Sequence, residues 1–319
     1  MDDSPLPRRS FLALAAGGVA AGVAAAALDA GRLAHAASPP PPTPADPRGD
    51  EPDPAHASGH QLKLGVASYS CRKFPRDRMI EMVKALRTPY VNLKSVHLPY
   101  ELPPADLAAA RKEIEDAGLR IVGGGTITFD KDTDEDVQRY FDYAKAAGMP
   151  TIVCTMDPAI LPRVERFAKQ YDILVAIHNH GTEDKRFPSP YDVLKHVKSM
   201  DRRMGLCIDI GHTVRTGTDV VQAVADAGPR LHDMHAKDLR DLSAKDSQVI
   251  VGEGAIPIAE IFRQLIAMRY PGYVNLEYEI DADDPLPGMK QSFAHMRGIL
   301  AGLEASRTRA RTPRRVAAR

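Results

Sequence analysis

Between residues 61 and 305 two periodicities alternate along the chain. Short β-branched and apolar runs at Leu62–Ser68, Tyr90–Lys94, Leu119–Gly124, Thr151–Cys154, Ile173–His178, Met204–Asp209, Leu231–His235 and Tyr273–Glu277 predict strands. Segments such as Pro104–Ala117, Asp134–Ala147 and Pro257–Met268 carry apolar residues at helical spacing and predict helices between them. Thr133 or Asp134 supplies an N-cap, and Gly118 and Gly148 close two helices. Eight strands alternating with helices over about 245 residues predict an α/β fold, a single (β/α)8 TIM barrel. A doubly wound sheet is the alternative. It would usually carry a phosphate loop or dinucleotide fingerprint after the first strand, and Gly65-Val-Ala-Ser-Tyr-Ser-Cys is neither.

The polar residues break this pattern in one place. Four consecutive runs turn ionisable at their C-terminal ends: His178-Asn179-His180-Gly181, Asp209-Ile210-Gly211-His212, His235-Ala236-Lys237-Asp238 and Glu277-Tyr278-Glu279. In a parallel barrel these ends converge on one mouth, where active sites sit. Taken singly, a strand-end histidine is a satisfied core or surface residue and a strand-end aspartate a helix N-cap. Taken together, His178, Asp209, His235 and Glu277 form a mixed imidazole and carboxylate set, because buried ionisable groups cost energy unless paired or metal-bound. That set suits Mn2+, Co2+, Zn2+, Fe2+ or Mg2+.

Composition sharpens the boundaries. The formal net charge is zero and there are 3 Cys, which argues against a general nucleic-acid binder and excludes a disulfide framework. Arg8-Arg9-Ser10-Phe11-Leu12, an Ala/Gly-rich apolar stretch and Ala34-His35-Ala36 read as a twin-arginine-type signal peptide over 1–36, implying an exported, periplasmic or extracellular protein without stable membrane insertion after cleavage. Residues 37–60 are a Pro-rich linker and 306–319 an arginine-rich tail expected to be disordered. Residues 37–305 hold 33 basic and 39 acidic residues, a net charge of −6, so the neutrality is an acidic barrel and linker offset by a basic tail. Cys154 and Cys207 read as small buried residues, and Cys71 as open to solvent.

These motifs give the chain a familiar look. With Gly65-Val-Ala-Ser-Tyr, Leu93-Lys94-Ser95-Val96-His97-Leu98 and Gly252-Glu253-Gly254, the strand-end elements make residues 61–300 resemble the xylose isomerase-like TIM-barrel superfamily, which includes inosose dehydratases and ketose 3-epimerases. The resemblance implies that Asp209, His235 and Glu277 are metal ligands, that Glu277 doubles as a base, and that His212 contacts substrate. At strand five it implies a glutamate, one of two bases in epimerases; here the position is His178. That departure points partly toward elimination chemistry.

The implied reaction is metal-dependent isomerisation or epimerisation of a keto-sugar or sugar phosphate, through abstraction of the α-proton and a metal-stabilised enediolate. A dehydratase or lyase acting on an inosose or 3-keto-glycoside is the alternative. Glu277 is the preferred base, with His180 or Glu279 behind it. Lys237, two residues beyond His235, is a candidate for the developing oxyanion, weighed against a salt bridge with Asp209 or Asp238. Lys94, His97 and Glu253 are candidates for substrate contact. The expected partner is a small carbohydrate, not nucleic acid, and an oligomer is compatible with the sequence. Two further classes stand against this reading: a non-catalytic exported sugar-binding barrel, and an AP-endonuclease-type enzyme, which needs more histidines and a basic face.

Overall fold

The computed structural model describes residues 62–311; the export-signal and linker readings and the end of the basic tail lie outside the described residues. Eight parallel strands close into a barrel: β1 (Lys63–Ala67), β2 (Tyr90–Leu93), β3 (Arg120–Phe129), β4 (Thr151–Met156), β5 (Leu174–His178), β6 (Met204–Asp209), β7 (Leu231–Ala236) and, after a short antiparallel pair β8 (Asp238–Leu239) and β9 (Gln248–Val249), the last barrel strand β10 (Tyr273–Leu276). Each pairs with its sequence neighbour in the barrel, and β1 closes the ring against β10 with Gly65 opposite Asn275. The TIM-barrel expectation holds, and the doubly wound alternative falls.

Helices α1 (Arg76–Ala85), α2 (Pro104–Asp116), α3 (Asp134–Ala146), α4 (Leu161–Tyr171), α5 (Pro190–Val197), α6 (Ile210–Arg215), α7 (Val220–Ala227), α8 (Ile258–Ala267) and α9 (Leu286–Arg311) connect the strands and follow the last one. Their starts follow from side-chain chemistry. Thr133 accepts from the Asp136 amide at α3, and Ser189 and Asp192 form a capping box at α5. Gly118 and Gly148 take left-handed φ values of 83° and 70° after α2 and α3, which a side chain would strain.

Two boundaries move by five residues or more. β3 extends to Phe129, past the expected end at Gly124. Its register shifts between Gly124 and Ile127, and the alternating Thr126-Ile127-Thr128-Phe129 resumes the strand beyond that irregularity. Helix α9 continues to Arg311, so the first part of the stretch expected to be disordered from 306 is helical.

Inside the barrel, side chains stack in layers two residues apart along each strand. Tyr90, Val122 and Tyr273 form the lowest cluster, with Val153, Ala176 and Cys207 packed above them on the far wall. Opposite lies a polar tier: Asn92 and Asn275 each donate to the buried Asp233 carboxylate at 2.7 Å. Gly65 leaves room for it, since a Cβ there would stand 2.3 Å from Asn275 Oδ1. The next tier up is the mouth.

Outside, aromatic rings bind the wall to its helices. Phe141 of α3 is fully buried, with its ring centroid 6.1 Å from Phe129 of β3 and 5.9 Å from Phe167 of α4. Phe141→Ala should destabilise the fold by about 3–5 kcal/mol through lost transfer energy and a cavity, read as a lower urea midpoint at an unchanged m-value.

Candidate active site

His178 ends β5, Asp209 ends β6, His235 lies near the end of β7, and Glu277 follows β10 with its amide bonded to the Ala236 carbonyl at 2.9 Å. The barrel register sets Asp209 directly opposite His235. The four side chains are buried, and one donor atom from each lies within 4.8 Å of all the others. His178 Nε2 is 2.9 Å from His235 Nδ1 and 3.7 Å from Asp209 Oδ2, while His235 Nδ1 is 3.2 Å from Glu277 Oε2. Convergence of the four strand ends is therefore a feature of the geometry.

Asp209 serves two purposes with one carboxylate. Its Oδ1 accepts from the His212 amide at 2.8 Å and caps α6, so the bland reading of a strand-end aspartate is also true. Its Oδ2 faces the cluster. Lys237 Nζ stands 3.0 Å away as a charge contact without hydrogen-bond alignment, and Oδ2 accordingly has no hydrogen-bond partner. Lys237 also lies 3.1 Å from Glu277 Oε2 and 2.5 Å from Glu279 Oε2, and Lys94 lies 3.2 Å from Glu277 Oε1. The salt bridge weighed for Lys237 forms with Asp209; Asp238 is engaged elsewhere, accepting from the amides of Gly252, Gly254 and Ile256.

These charges set the protonation states. Burial alone would raise the Glu277 carboxyl, but His235, Lys237 and Lys94 outweigh it and hold the group well below the usual carboxylate range. Asp209, also penalised by burial, is held low mainly by Lys237. Burial disfavours a charged Lys237, yet Asp209, Glu277 and Glu279 push its pKa well above normal. His178 is driven well below the ordinary imidazole value by burial and then by its neighbour His180, and His180 is lowered by burial and by His212.

Two buried carboxylates and two imidazoles within reach of one point, with Asp209 Oδ2 left without a hydrogen bond, fit a divalent cation. Nitrogen and oxygen ligands at roughly 2.0–2.2 Å from a metal stand roughly 3–4 Å from one another, close to the separations found here. A second grouping, His178, Cys207 and His235, fits less well, because burial pushes the Cys207 thiol far up and keeps it protonated.

Above the cluster opens a cavity of about 300 Å³ lined by Lys94, His178, His180, His212, Glu277 and Glu279, together with Tyr69, Ser95 and Thr126. The structure thus gathers most of the expected residues. Two stand apart. His97 is buried behind the wall with Nδ1 2.9 Å from Ser68 Oγ, and Glu253 is exposed on a loop whose flanking glycine amides wrap Asp238. Neither lines the cavity. Cys71, expected to be open to solvent, is fully buried, and burial pushes its thiol up to about 12. Tyr69, Ser95 and Thr126 escaped sequence reasoning because hydroxyls carry little signal in one sequence; for Thr126 the usable clue was its β-branched alternation. A larger groove of about 960 Å³, between the α6–α7 turn and α8, contains none of the four cluster residues and is set aside as the chemical site.

The xylose isomerase-like TIM barrel family matches residues 80–299. The chain belongs to this family. Among solved structures, it is similar to L-ribulose 3-epimerase (15% identity, TM-score 0.65, covering 80% of this chain and 99% of that one). It is likewise similar to 3-keto-D-glucoside 4-epimerase from E. coli (16%, 0.59, 75% and 100%) and to the probable 3-DHS dehydratase of petrobactin synthesis from Bacillus anthracis (12%, 0.62, 74% and 99%). Uncharacterized proteins of Mycobacterium tuberculosis and Mycobacterium bovis are 28% identical over 116 residues, 36% of this chain and 32% of theirs, so the chain matches about a third of the length of these curated relatives. At these identities the solved structures speak to the fold alone.

The histidines make stability depend on pH. His178 and His180 stay neutral in the fold but would take up protons near 6.5 when unfolded. The unfolded chain then binds more protons, so stability falls as pH drops below about 6.5. Asp233, raised to about 6 by burial, acts oppositely below that value but is one group against three, since burial also lowers His97. The Tm should therefore decline from about pH 7 to about pH 5. A flat profile would contradict the neutral histidines.

Proposed function

We propose that this barrel is a metal-dependent sugar isomerase or epimerase that removes the proton α to the carbonyl of a keto-sugar through an enediolate. The observation that carries this reading is the convergence of His178, Asp209, His235 and Glu277 beneath a cavity whose wall also holds Lys94 and two more histidines. His178, Asp209, His235 and Glu277 would hold the ion. A divalent cation supplies polarisation of a substrate carbonyl and neutralises charge developing on its oxygen.

The remaining work falls to the chain's own groups. Glu277 is kept ionised by His235, Lys237 and Lys94, a base available at neutral pH, and it lines the cavity. Lys237, cationic and braced by three carboxylates, is the candidate counter-charge for an oxygen gaining negative charge. His180, lining the same cavity from the β5 end with Nδ1 3.3 Å from Asp184 Oδ2, is the candidate for the second proton transfer. The cavity of about 300 Å³ takes one sugar ring and not a chain of them.

Elimination is the second reading, and His178 favours it. With an imidazole at the strand-five end, the carboxylate bases at the mouth are Glu277 and Glu279, both from the β10 side. A carboxylate that takes the α-proton and an imidazole that protonates a departing β-oxygen would together dehydrate. Similar folds occur in epimerases and in a probable dehydratase, so the fold hosts both.

Asp209→Ala and Glu277→Ala should each lose bound metal and lower turnover at least about 100-fold. Metal analysis of purified protein and NMR of keto-sugars and keto-glycosides in D2O read these effects. Full metal occupancy and full rate in either variant would overturn the ligand set. Solvent deuterium incorporated at the α-carbon of an epimer, as against a dehydrated product, separates the two readings.

A further inference from the structure

Arg215 closes α6 three residues after His212, and its side chain is only 4% exposed. Its Nη1 lies 2.9 Å from His212 Nδ1, and its Nη2 holds the carboxylate of Glu183 from the loop after β5. A guanidinium has donors and no acceptor. His212 Nδ1 must therefore accept, and the neutral ring carries its proton on Nε2. The ring lines the mouth cavity, with its centroid 5.9 Å from that of His178 and 5.7 Å from that of His180. What it offers a ligand there is an N–H.

The surroundings are shaped for this contact. Gly181 has φ +83°, and a Cβ there would come within 3.1 Å of Arg215 Nη2, so the glycine serves the backbone turn and the passage of the guanidinium together. Glu183 supplies the counter-charge that a buried guanidinium needs. The neighbouring Asp184 stands beside the other ring, its Oδ2 3.3 Å from His180 Nδ1 as a charge contact.

We infer that Arg215, braced by Glu183, is a positioning residue that fixes the His212 tautomer so that Nε2–H donates to an acceptor oxygen of the substrate, its carbonyl or the oxyanion formed from it. The identity of that oxygen rests on the keto-sugar reading above; the tautomer does not.

The test is long-range 15N–1H NMR of the full chain, with His212 assigned through His212→Gln. The expected wild-type pattern is a protonated Nε2 and an unprotonated Nδ1. Arg215→Met should give a mixture of tautomers, and Arg215→Lys, which restores one donor, should recover the wild-type pattern. Glu183→Ala, removing a half-exposed carboxylate, covers the case in which Arg215→Met does not fold, and should shift the tautomer in the same direction. On an active keto-sugar, Arg215→Met should lower kcat about 10- to 100-fold, and adding it to His212→Ala should cost nothing further, because Arg215 acts through His212. A wild-type His212 with a protonated Nδ1, or a tautomer unmoved in both Arg215→Met and Glu183→Ala, overturns the inference. A tautomer shift in protein that exchanges no α-proton of any keto-sugar upholds the positioning role and removes the keto-sugar reading alone.

Discussion

Asp209 and Glu277 lie buried on different strands and within a few ångströms of one another, and the mouth of the barrel is organised around that proximity. Like charges at about 4 Å repel by about 4 kcal/mol even at an effective dielectric of 20, before desolvation is counted. Cationic side chains answer both terms. Lys237 reaches across to both carboxylates and to Glu279, and Lys94 takes the far oxygen of Glu277. The route of Lys237 explains a glycine: a Cβ on Gly211 would lie 2.7 Å from the lysine's Cγ and Cδ. Each residue of Asp209-x-Gly211-His212 thereby has its own physical reason: a cap and a facing oxygen, a passage for a lysine stem, and a ring set by Arg215.

Beneath this tier the barrel does not become uniformly apolar. Asn92, Asp233 and Asn275 place a hydrogen-bonded floor under the cluster, and Asp233 Oδ2 lies 4.0 Å from His235 Nε2. Hydrogen bonds fix direction in a way that packed methyl groups do not, so the imidazole stands on an oriented base. His178 is then the position where this member of the family departs most from what its resemblance implies. An imidazole there keeps a donor atom within the cluster while removing one carboxylate from the wall opposite Glu277.

Much of this was legible in the sequence, for reasons that can be named. Period-two runs turning ionisable at His178, Asp209, His235 and Glu277 are visible because a barrel repeats one geometry, so four strand ends can be read as one place. What escaped depended on partners distant in sequence. Arg215 and Glu183 look like ordinary surface charges until the fold brings α6 beside the loop after β5. Asn92 and Asn275 look like strand interruptions until both meet Asp233. Glu253 looked like a substrate contact because glycines flank it, yet those glycines serve Asp238 with their amides. Chain continuity past Gly124 and Ser306 was hidden by residues whose average propensity is poor, although barrel packing carries the strand and the helix onward.

The polar floor also bears on when the molecule becomes competent. Asn92 on β2 and Asp233 on β7 are separated by 141 residues, and β10 supplies both the third member of the floor and the strand that closes the ring against β1. A ribosome-bound chain that has emerged only through β7 holds His178, Asp209 and His235 but lacks Asn275 and Glu277. The last strand brings Glu277 as it closes the ring, so the set of four is complete only when the barrel is.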